Sequence, residues 1–519
     1  MVAAAAEGVY GTVPHPHGAG RPGVGATAGS KERSKVRSSL ASRSAWLRAI
    51  VTLAFALTVS GCDTVSGVSD KVFGPSGPSE GQQGFVQGYL GGAVADDPRA
   101  TLVARDILSA GGNAADAAVA LGFALSVTLP SRAGLGGGGA CLAYAADKKS
   151  ANNGVPEAVL FTPLAPSSLG PNADRPAAVP MLARGMYLLH ARYGHLPFES
   201  LIVPAEQMAR FGTPASRSLV RDLRLVAGPL LADPNARTVF SQNGAPLTEG
   251  QQLLQPDLGA TLAQLRVSGV GDLYTGALAR RVEQASPLAG GPIALSDLRA
   301  ALPRLAPAIV VPYRHDSVAF LPPPADGGLA AAAGFTVLAR DPNAIGVASS
   351  RALAVAARWR QGGVDGQSLL TASDLHEAPL PPLPASTSFV TLDKDGNAVA
   401  CSLSMDNLFG TGRVLPGLGF LLAASPNAVP TPLYAAALAW NENTHAFRAE
   451  VAGSGQEGAP IAVAVGMLNA LRTNRPMSAA VPEPGRANVI ECNSYLPGEN
   501  GSCAMAVDPR EAGLAAGGS

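Results

Sequence analysis

Residues 114–129 are Ala-rich and apolar on every side, so a helix there has to be buried all round. Asn113 can cap it and Pro130 stops it. Ahead of it, Asp97-Pro98 reads as the start of a helix over 99–110, ended by Gly111-Gly112. A second apolar helix is expected at 459–471. A chain of 519 residues has room for several domains, or for one large α/β unit with the core such helices need. Net charge is 0 and only 15% of residues are charged, so no Lys/Arg excess exists to neutralise nucleic-acid phosphates. Gly 60 and Pro 43 make up about a fifth of the chain, more than a globular protein carries, and point to many interrupted loops.

Other elements follow from pattern. Gly134–Gly139, almost all glycine, precedes a strand at 141–144, where it allows positive φ and close backbone packing. Helices are expected at 182–193, 199–210, 257–266, 273–285, 295–301, 329–338 and 351–360. Short β runs are expected at 308–312 and 317–321, with a loop at 322–328. Leu380-Pro-Pro-Leu-Pro384 is an extended polyproline arm without internal hydrogen bonds. Directly after it come a hydroxyl-rich strand at 386–392, an Asp393-Lys-Asp-Gly396 turn and a returning strand at 397–405. A strand at 446–452 and a loop at 453–458 lead into the second apolar helix.

The N-terminus reads as a secretory leader. Residues 1–30 lack periodicity and are expected to be disordered. Basic residues between Lys31 and Arg48 precede an apolar run at 49–59, too short to span a bilayer comfortably, and then Ser60-Gly61-Cys62. Val59-Ser-Gly-Cys62 resembles a bacterial lipobox, which implies cleavage before Cys62, a lipid on its sulfur and a protein anchored in the cell envelope facing the periplasm. An ordinary signal anchor with an incidental cysteine is the alternative. The segment before the signal is unusually long, as expected if translation starts further in. The chain thus divides into a leader and signal (1–61), a Gly/Ser/Pro/Gln-rich tether (62–90) and the folded remainder. In an oxidising compartment, Cys492 and Cys503 read as a disulfide-closed hairpin, with two unrelated thiols as the alternative. Cys141 and Cys401 lie in apolar runs and read as buried small hydrophobes. No Cys/His spacing suggests a metal site, and no cofactor is implied.

An ordered series of motifs carries a resemblance. Gly111-Gly-Asn-Ala-Ala-Asp-Ala-Ala118 and Gly134-Leu-Gly-Gly-Gly-Gly-Ala140 come first. Ala191-Arg-Tyr-Gly-His-Leu-Pro197, Gly271-Asp-Leu-Tyr-Thr-Gly276 and Val311-Pro-Tyr-Arg314 follow. Asp393-Lys-Asp-Gly-Asn-Ala-Val399, Phe409-Gly-Thr-Gly412 and Asp508-Pro-Arg510 complete it. Across 91–519 the chain resembles the gamma-glutamyltranspeptidases. The resemblance implies an α/β fold, a four-layer αββα sandwich of the N-terminal nucleophile hydrolase type. It also implies self-cleavage into a large piece (91–385) and a small piece (386–519) that remain associated and fold as one unit. The freed residue then carries both nucleophile and base, because an α-amine with a pKa near 8 can accept the hydroxyl proton. Gap-free registration of the turn puts the nucleophile at Ser386, with Thr387 as the neighbouring candidate on the opposite face of the strand.

The same resemblance implies a supporting hydroxyl at Ser404, a contact to a substrate amine at Asp406, and oxyanion donors at Gly455 and Gly458 in a loop lengthened by about one residue. Glu457 in that loop would oppose a developing negative charge if it pointed inward. The substrate-binding positions depart from the family. Thr162 stands where an Arg clamps the substrate carboxylate, and a Thr supplies neither charge nor a bidentate fork. Tyr434-Ala435 replaces paired serines, and Ser425 and Ala428 replace a Gln and an Asp. These departures leave two expectations. One is a self-processing amide hydrolase or transferase acting on a small-molecule or peptide amide other than a simple gamma-glutamyl compound. The other is a catalytically inactive, lipid-anchored binding or structural protein on the same fold.

Overall fold

The computed structural model describes residues 90–517 except 148–151, 169–172, 376–378, 473–477 and 499–501. The expected leader, signal, Cys62 and all but the last residue of the tether lie outside the described residues. Asp97 accepts hydrogen bonds from the N–H groups of Arg99 and Ala100 (3.0 and 3.1 Å) and starts α1 (Pro98–Ser109). Asn113 and Asp116 form a reciprocal capping box at the start of α2 (Ala114–Thr128), whose 15 residues are all buried. The apolar stretch is buried because α1, α3 (Leu182–Tyr193) and α4 (Phe198–Phe211) pack against one part of it and a sheet against another. Helices α5 (Arg217–Leu231) and α6 (Pro256–Ser268) extend this layer, while α7 (Asp326–Arg340), α8 (Ile345–Arg360) and α9 (Ala459–Leu471) form a second one.

Between the helical layers lie two antiparallel sheets. In chain order their strands are β1 (Gly91–Ala95), β2 (Gly138–Tyr144), β3 (Glu157–Phe161), β4 (Arg304–Pro307), β5 (Ile309–Tyr313), β6 (Asp316–Phe320), β7 (Ser386–Asp393), β8 (Ala398–Ser404), β9 (Ala435–Asn441), β10 (Ala446–Ser454), β11 (Arg486–Leu496), β12 (Cys503–Val507) and β13 (Leu514–Gly517). The first sheet has seven strands in the order β13-β1-β7-β8-β2-β3-β4, and the second has six in the order β12-β11-β10-β9-β6-β5. The period of two decides what each strand faces. Phe389, Cys401 and Leu403 join the core under α2, whereas Val390, Leu392 and Ala400 join the core between the sheets, against Leu438 and Ile490. The outcome is the αββα sandwich. Both sheets contain strands from before and after residue 386, interleaved in the first and side by side in the second, so neither segment owns a sheet of its own.

Several elements differ from expectation, each for a local reason. The helix expected at 273–285 is broken at Gly276, and Asp272 accepts the Ala277 N–H (2.7 Å) to start the second half. The loop expected at 322–328 gives way to helix from Asp326 onward. None of residues 136–139 has positive φ; there the glycines serve close approach alone. A Cβ on Gly138 would strike the Phe161 carbonyl, and one on Gly137 the Ser404 carbonyl at 2.6 Å. Cys141 and Cys401 are buried, as expected, but they are joined: they sit directly opposite each other on β2 and β8 and form a disulfide. Their 260-residue separation hides a pairing that only strand adjacency creates. Cys492 and Cys503 pair across β11 and β12, as the spacing predicts. Among the described residues no helix is long and apolar enough to cross a membrane, and no cluster of metal-ligating side chains occurs.

Candidate active site at the head of β7

The β7–β8 hairpin sets Ser386 directly opposite Ser404. Ser404 Oγ donates to the carbonyl of Ala385 (2.8 Å), which belongs to the peptide bond leading into Ser386. The Asp406 N–H donates to Ser404 Oγ (2.9 Å), which leaves the hydroxyl proton directed at that carbonyl. Alternation along β7 sends Thr387 to the other face, where its hydroxyl donates to Asp96 Oδ2 (2.8 Å). Ser388 is also committed: its hydroxyl donates to the Ala452 carbonyl (3.2 Å), and Asn488 Nδ2 donates to its own carbonyl (2.8 Å). Arg132, held by Asp222 in a two-point ion pair (2.7 and 2.8 Å), reaches the Ser386 carbonyl at 3.4 Å. The proline arm is pinned just upstream, where Gln456 Nε2 donates to the Leu383 carbonyl (3.1 Å) and the Leu383 side chain is buried.

The expected substrate contacts gather unevenly around this point. Asp406 adopts a left-handed backbone (φ 53°) and is buried. Tyr434 O–H donates to its Oδ1 (3.1 Å), and Oδ2 has no partner among the described residues. Burial pushes the Asp406 carboxyl up to about 7. Burial, followed by the Asp406 charge, pushes the Tyr434 phenol well above its ordinary range, so it stays a donor. Ser425 is brought near by the Ala424 N–H, which donates to the Met405 carbonyl (3.0 Å), but its hydroxyl is used to accept from Asn427 N–H (3.4 Å). Thr162 follows the last residue of β3. Because Gly138 pairs with Ser404 and Gly139 with Phe161, Thr162 falls in the same row as Ser386. It lies three strand spacings away, about 14 Å at ~4.8 Å per strand. Gly455 (φ 100°) and Gly458 frame a tight turn that leads into α9, whose N-terminal end carries positive partial charge. Glu457, the residue whose charge would oppose an oxyanion, is exposed at the rim of a neighbouring cleft.

The gamma-glutamyltranspeptidase family model matches residues 100–356. The glutathione hydrolase proenzyme of Escherichia coli (strain K12) is 28% identical over 409 residues, covering 69% of this chain and 68% of that protein. The chain belongs to the gamma-glutamyltranspeptidase family. It is thereby of the N-terminal nucleophile amide hydrolase and transferase type. Another relative, the acylase ACY 1 proenzyme of Pseudomonas sp. (strain SE83), is 31% identical across 49% of this chain and 47% of its own length. In fold, the cephalosporin acylase of Bacillus halodurans superposes with a TM-score of 0.69 at 20% identity, covering 86% of this chain and 99% of that one.

Pattern reading missed three site residues of this gamma-glutamyltranspeptidase-family chain. Asp96 read only as part of a helix start, because Asp97 beside it is the actual cap. In the fold, Asp96 Oδ2 also accepts the Ser388 N–H (3.1 Å), and Oδ1 accepts from Asn488 (2.8 Å), so one buried carboxylate ties β1, β7 and β11 together. Arg132 carried no signal, since its partner Asp222 lies 90 residues away. Tyr434 registered only as a lost serine, whereas it supplies a buried hydroxyl of its own.

Proposed function

We propose that this chain is a self-processing amide hydrolase or transferase in which cleavage between Ala385 and Ser386 frees Ser386 as nucleophile and base. The observation that carries this reading is the 2.8 Å hydrogen bond from Ser404 Oγ to the Ala385 carbonyl oxygen, where negative charge develops when Ser386 Oγ attacks. Thr387 is the weaker candidate, because its hydroxyl is committed to Asp96 on the far face. The names of the relatives, proenzymes among them, support processing into two pieces. Specificity is inferred to differ from that of a gamma-glutamyl enzyme: Thr162 offers no charge, and a buried Tyr434 stands where carboxylate-binding serines would. Asp406 remains as a contact for a substrate amine, with Gly455 and Gly458 as oxyanion donors. Anchoring through a lipid on Cys62, facing the periplasm, belongs to the same reading.

Mass spectrometry of the purified chain after reduction tests it. Two pieces, the smaller beginning at Ser386, are expected, and Ser386→Ala should remain whole while staying folded. An uncut wild-type chain would favour the inactive binding protein, and cutting by Ser386→Ala would transfer the role to Thr387. Separately, Cys62→Ser should release the protein from the membrane fraction and abolish incorporation of labelled fatty acid.

A further inference from the structure

We propose that the pocket holding Leu383 is the site's acyl-side specificity pocket, and that the substrates are peptide amides with a branched apolar residue two positions before a small residue at the scissile carbonyl. This inference rests on the self-cleavage proposed above. When Ser386 Oγ attacks the Ala385 carbonyl, an Oγ–C bond forms and the C–N bond breaks. The hydroxyl proton ends on the departing Ser386 nitrogen. The product is an ester whose acyl group is the arm itself, ending in Leu383-Pro384-Ala385. Water then adds its hydroxyl to the acyl carbon, the bond from that carbon to Oγ breaks, and the water's other proton goes to Oγ. An acyl-enzyme made from an outside amide carries the same bond on the same oxygen, so what seats the arm is what an external acyl group meets.

That seat is apolar and specific. Leu383 is 4% exposed and packs with Ala330, Ala352, Ala356 and Leu433. Leu433 adjoins Tyr434, whose hydroxyl bonds Asp406, and Leu383 itself lies two residues before the Ala385 carbonyl that Ser404 holds, which sets the pocket beside the site. The pocket is also firmly walled. Gly327 at the start of α7 brings its backbone against Leu433 and Tyr434, where a Cβ would lie 2.5 Å from the Leu433 carbonyl carbon. Arg360 of α8 bonds both Asp326 and the Thr431 carbonyl, each at 3.0 Å. The arm, by contrast, is lightly held. Pro381 and Pro382 are exposed, Pro384 and Ala385 are half-buried, and the polar ties are the Gln456 bond to the Leu383 carbonyl and the Ser404 bond to the Ala385 carbonyl. Once the bond at 385 is cut, one buried leucine and two hydrogen bonds must offset the entropy of ordering the segment, and the Ser404 bond is one that any acyl carbonyl in that place can accept. The arm can therefore exchange for a substrate of like chemistry. Beyond the pocket, a cleft of about 750 Å³ between Ser349, Ser350 and Leu353 of α8 and Glu457 gives a longer acyl chain a path outward.

The test uses the purified full chain, with cutting first verified by mass. Acetyl-Leu-Pro-Ala-p-nitroanilide, acetyl-Gly-Pro-Ala-p-nitroanilide and gamma-glutamyl-p-nitroanilide are then compared. The leucine compound is expected to exceed the glycine compound in kcat/KM by about tenfold or more, and to exceed the gamma-glutamyl compound. The peptide Leu-Pro-Pro-Leu-Pro-Ala, with a free carboxylate, should inhibit competitively. Replacing its second leucine by glycine should weaken inhibition by a similar factor. A cut chain that treats the leucine and glycine compounds alike, prefers the gamma-glutamyl compound or hydrolyses none of the three overturns the pocket assignment alone. A chain that is never cut overturns the self-cleavage reading and the pocket with it.

Discussion

Asp406 concentrates the site's electrostatics in one side chain. Its carboxyl sits at about 7 because burial penalises the charge, and the Tyr434 hydrogen bond only partly offsets that penalty. A raised folded-state pKa gives stability that is fully present below the unfolded value near 4 and is lost as pH rises through about 7. Asp406→Asn removes this titration and can keep the Tyr434 bond. The stability of the variant relative to wild type should therefore climb between pH 4 and pH 8, by a few kcal/mol at most. Parallel urea melts across that range check it, and a constant difference would refute the assignment. Glu450 poses a plainer case. It is fully buried between the sheets, burial holds its carboxyl well above the usual range, and neither oxygen has a partner among the described residues. Its register neighbours are Leu438 and Ile490. Glu450→Leu should raise stability by about 1–3 kcal/mol in denaturant melts, because the cost of an unsatisfied polar group disappears. Ser404→Ala should slow self-cleavage about 10²–10³-fold, the usual cost of losing one donor to a developing oxyanion, as followed by the rate at which the small piece appears.

Individual elements place these groups through period and close approach. The β7–β8 turn works because Asp393 accepts from the N–H groups of Asp395 and Asn397 (2.9 and 3.0 Å), with Gly396 at φ 85°. That turn fixes the register that sets Ser386 against Ser404. A slip of one residue would present Thr387 instead and turn Ser386 toward α2. Along β2, Gly138 admits the end of β3, and hence Thr162, into the same row. Gly138→Ala forces a Cβ onto backbone in the middle of the sheet, where no flexible side chain can yield. A loss of about 1–3 kcal/mol in urea melts is expected. The hairpin and the two apolar helices were legible in the chain because their signals are local: a turn motif, a cap, an unbroken apolar run. Strand β9 was not, since Ala435-Ala-Ala-Leu-Ala439 carries no strand preference and is extended only because β6 and β10 flank it. Helix α5 was also missed, although Ser216 caps it by accepting from the Leu219 N–H (3.3 Å).

In the whole molecule, chain segments far apart in sequence are woven into each sheet. β7 and β8 lie between β1 and β2, so the segments before and after residue 386 share one set of ladders and cores. The Cys141–Cys401 disulfide crosses the same divide. If the chain is cut at Ser386, the pieces should therefore migrate as one band on a non-reducing denaturing gel and as two after reduction. Two bands without reductant would show that the bond does not form. By itself the sequence determined the layered family fold, the position of the β7–β8 hairpin and the Cys492–Cys503 link, since each is written in contiguous residues or in an ordered set of motifs. The tertiary structure alone decided the Cys141–Cys401 pairing, the anchoring of Ser386 by Arg132 and Asp222, the Asp96 tie and the hold of Tyr434 on Asp406. Those contacts join residues separated by 28 to 392 positions. Local pattern has no information about such partners until the sheets fold and bring them together.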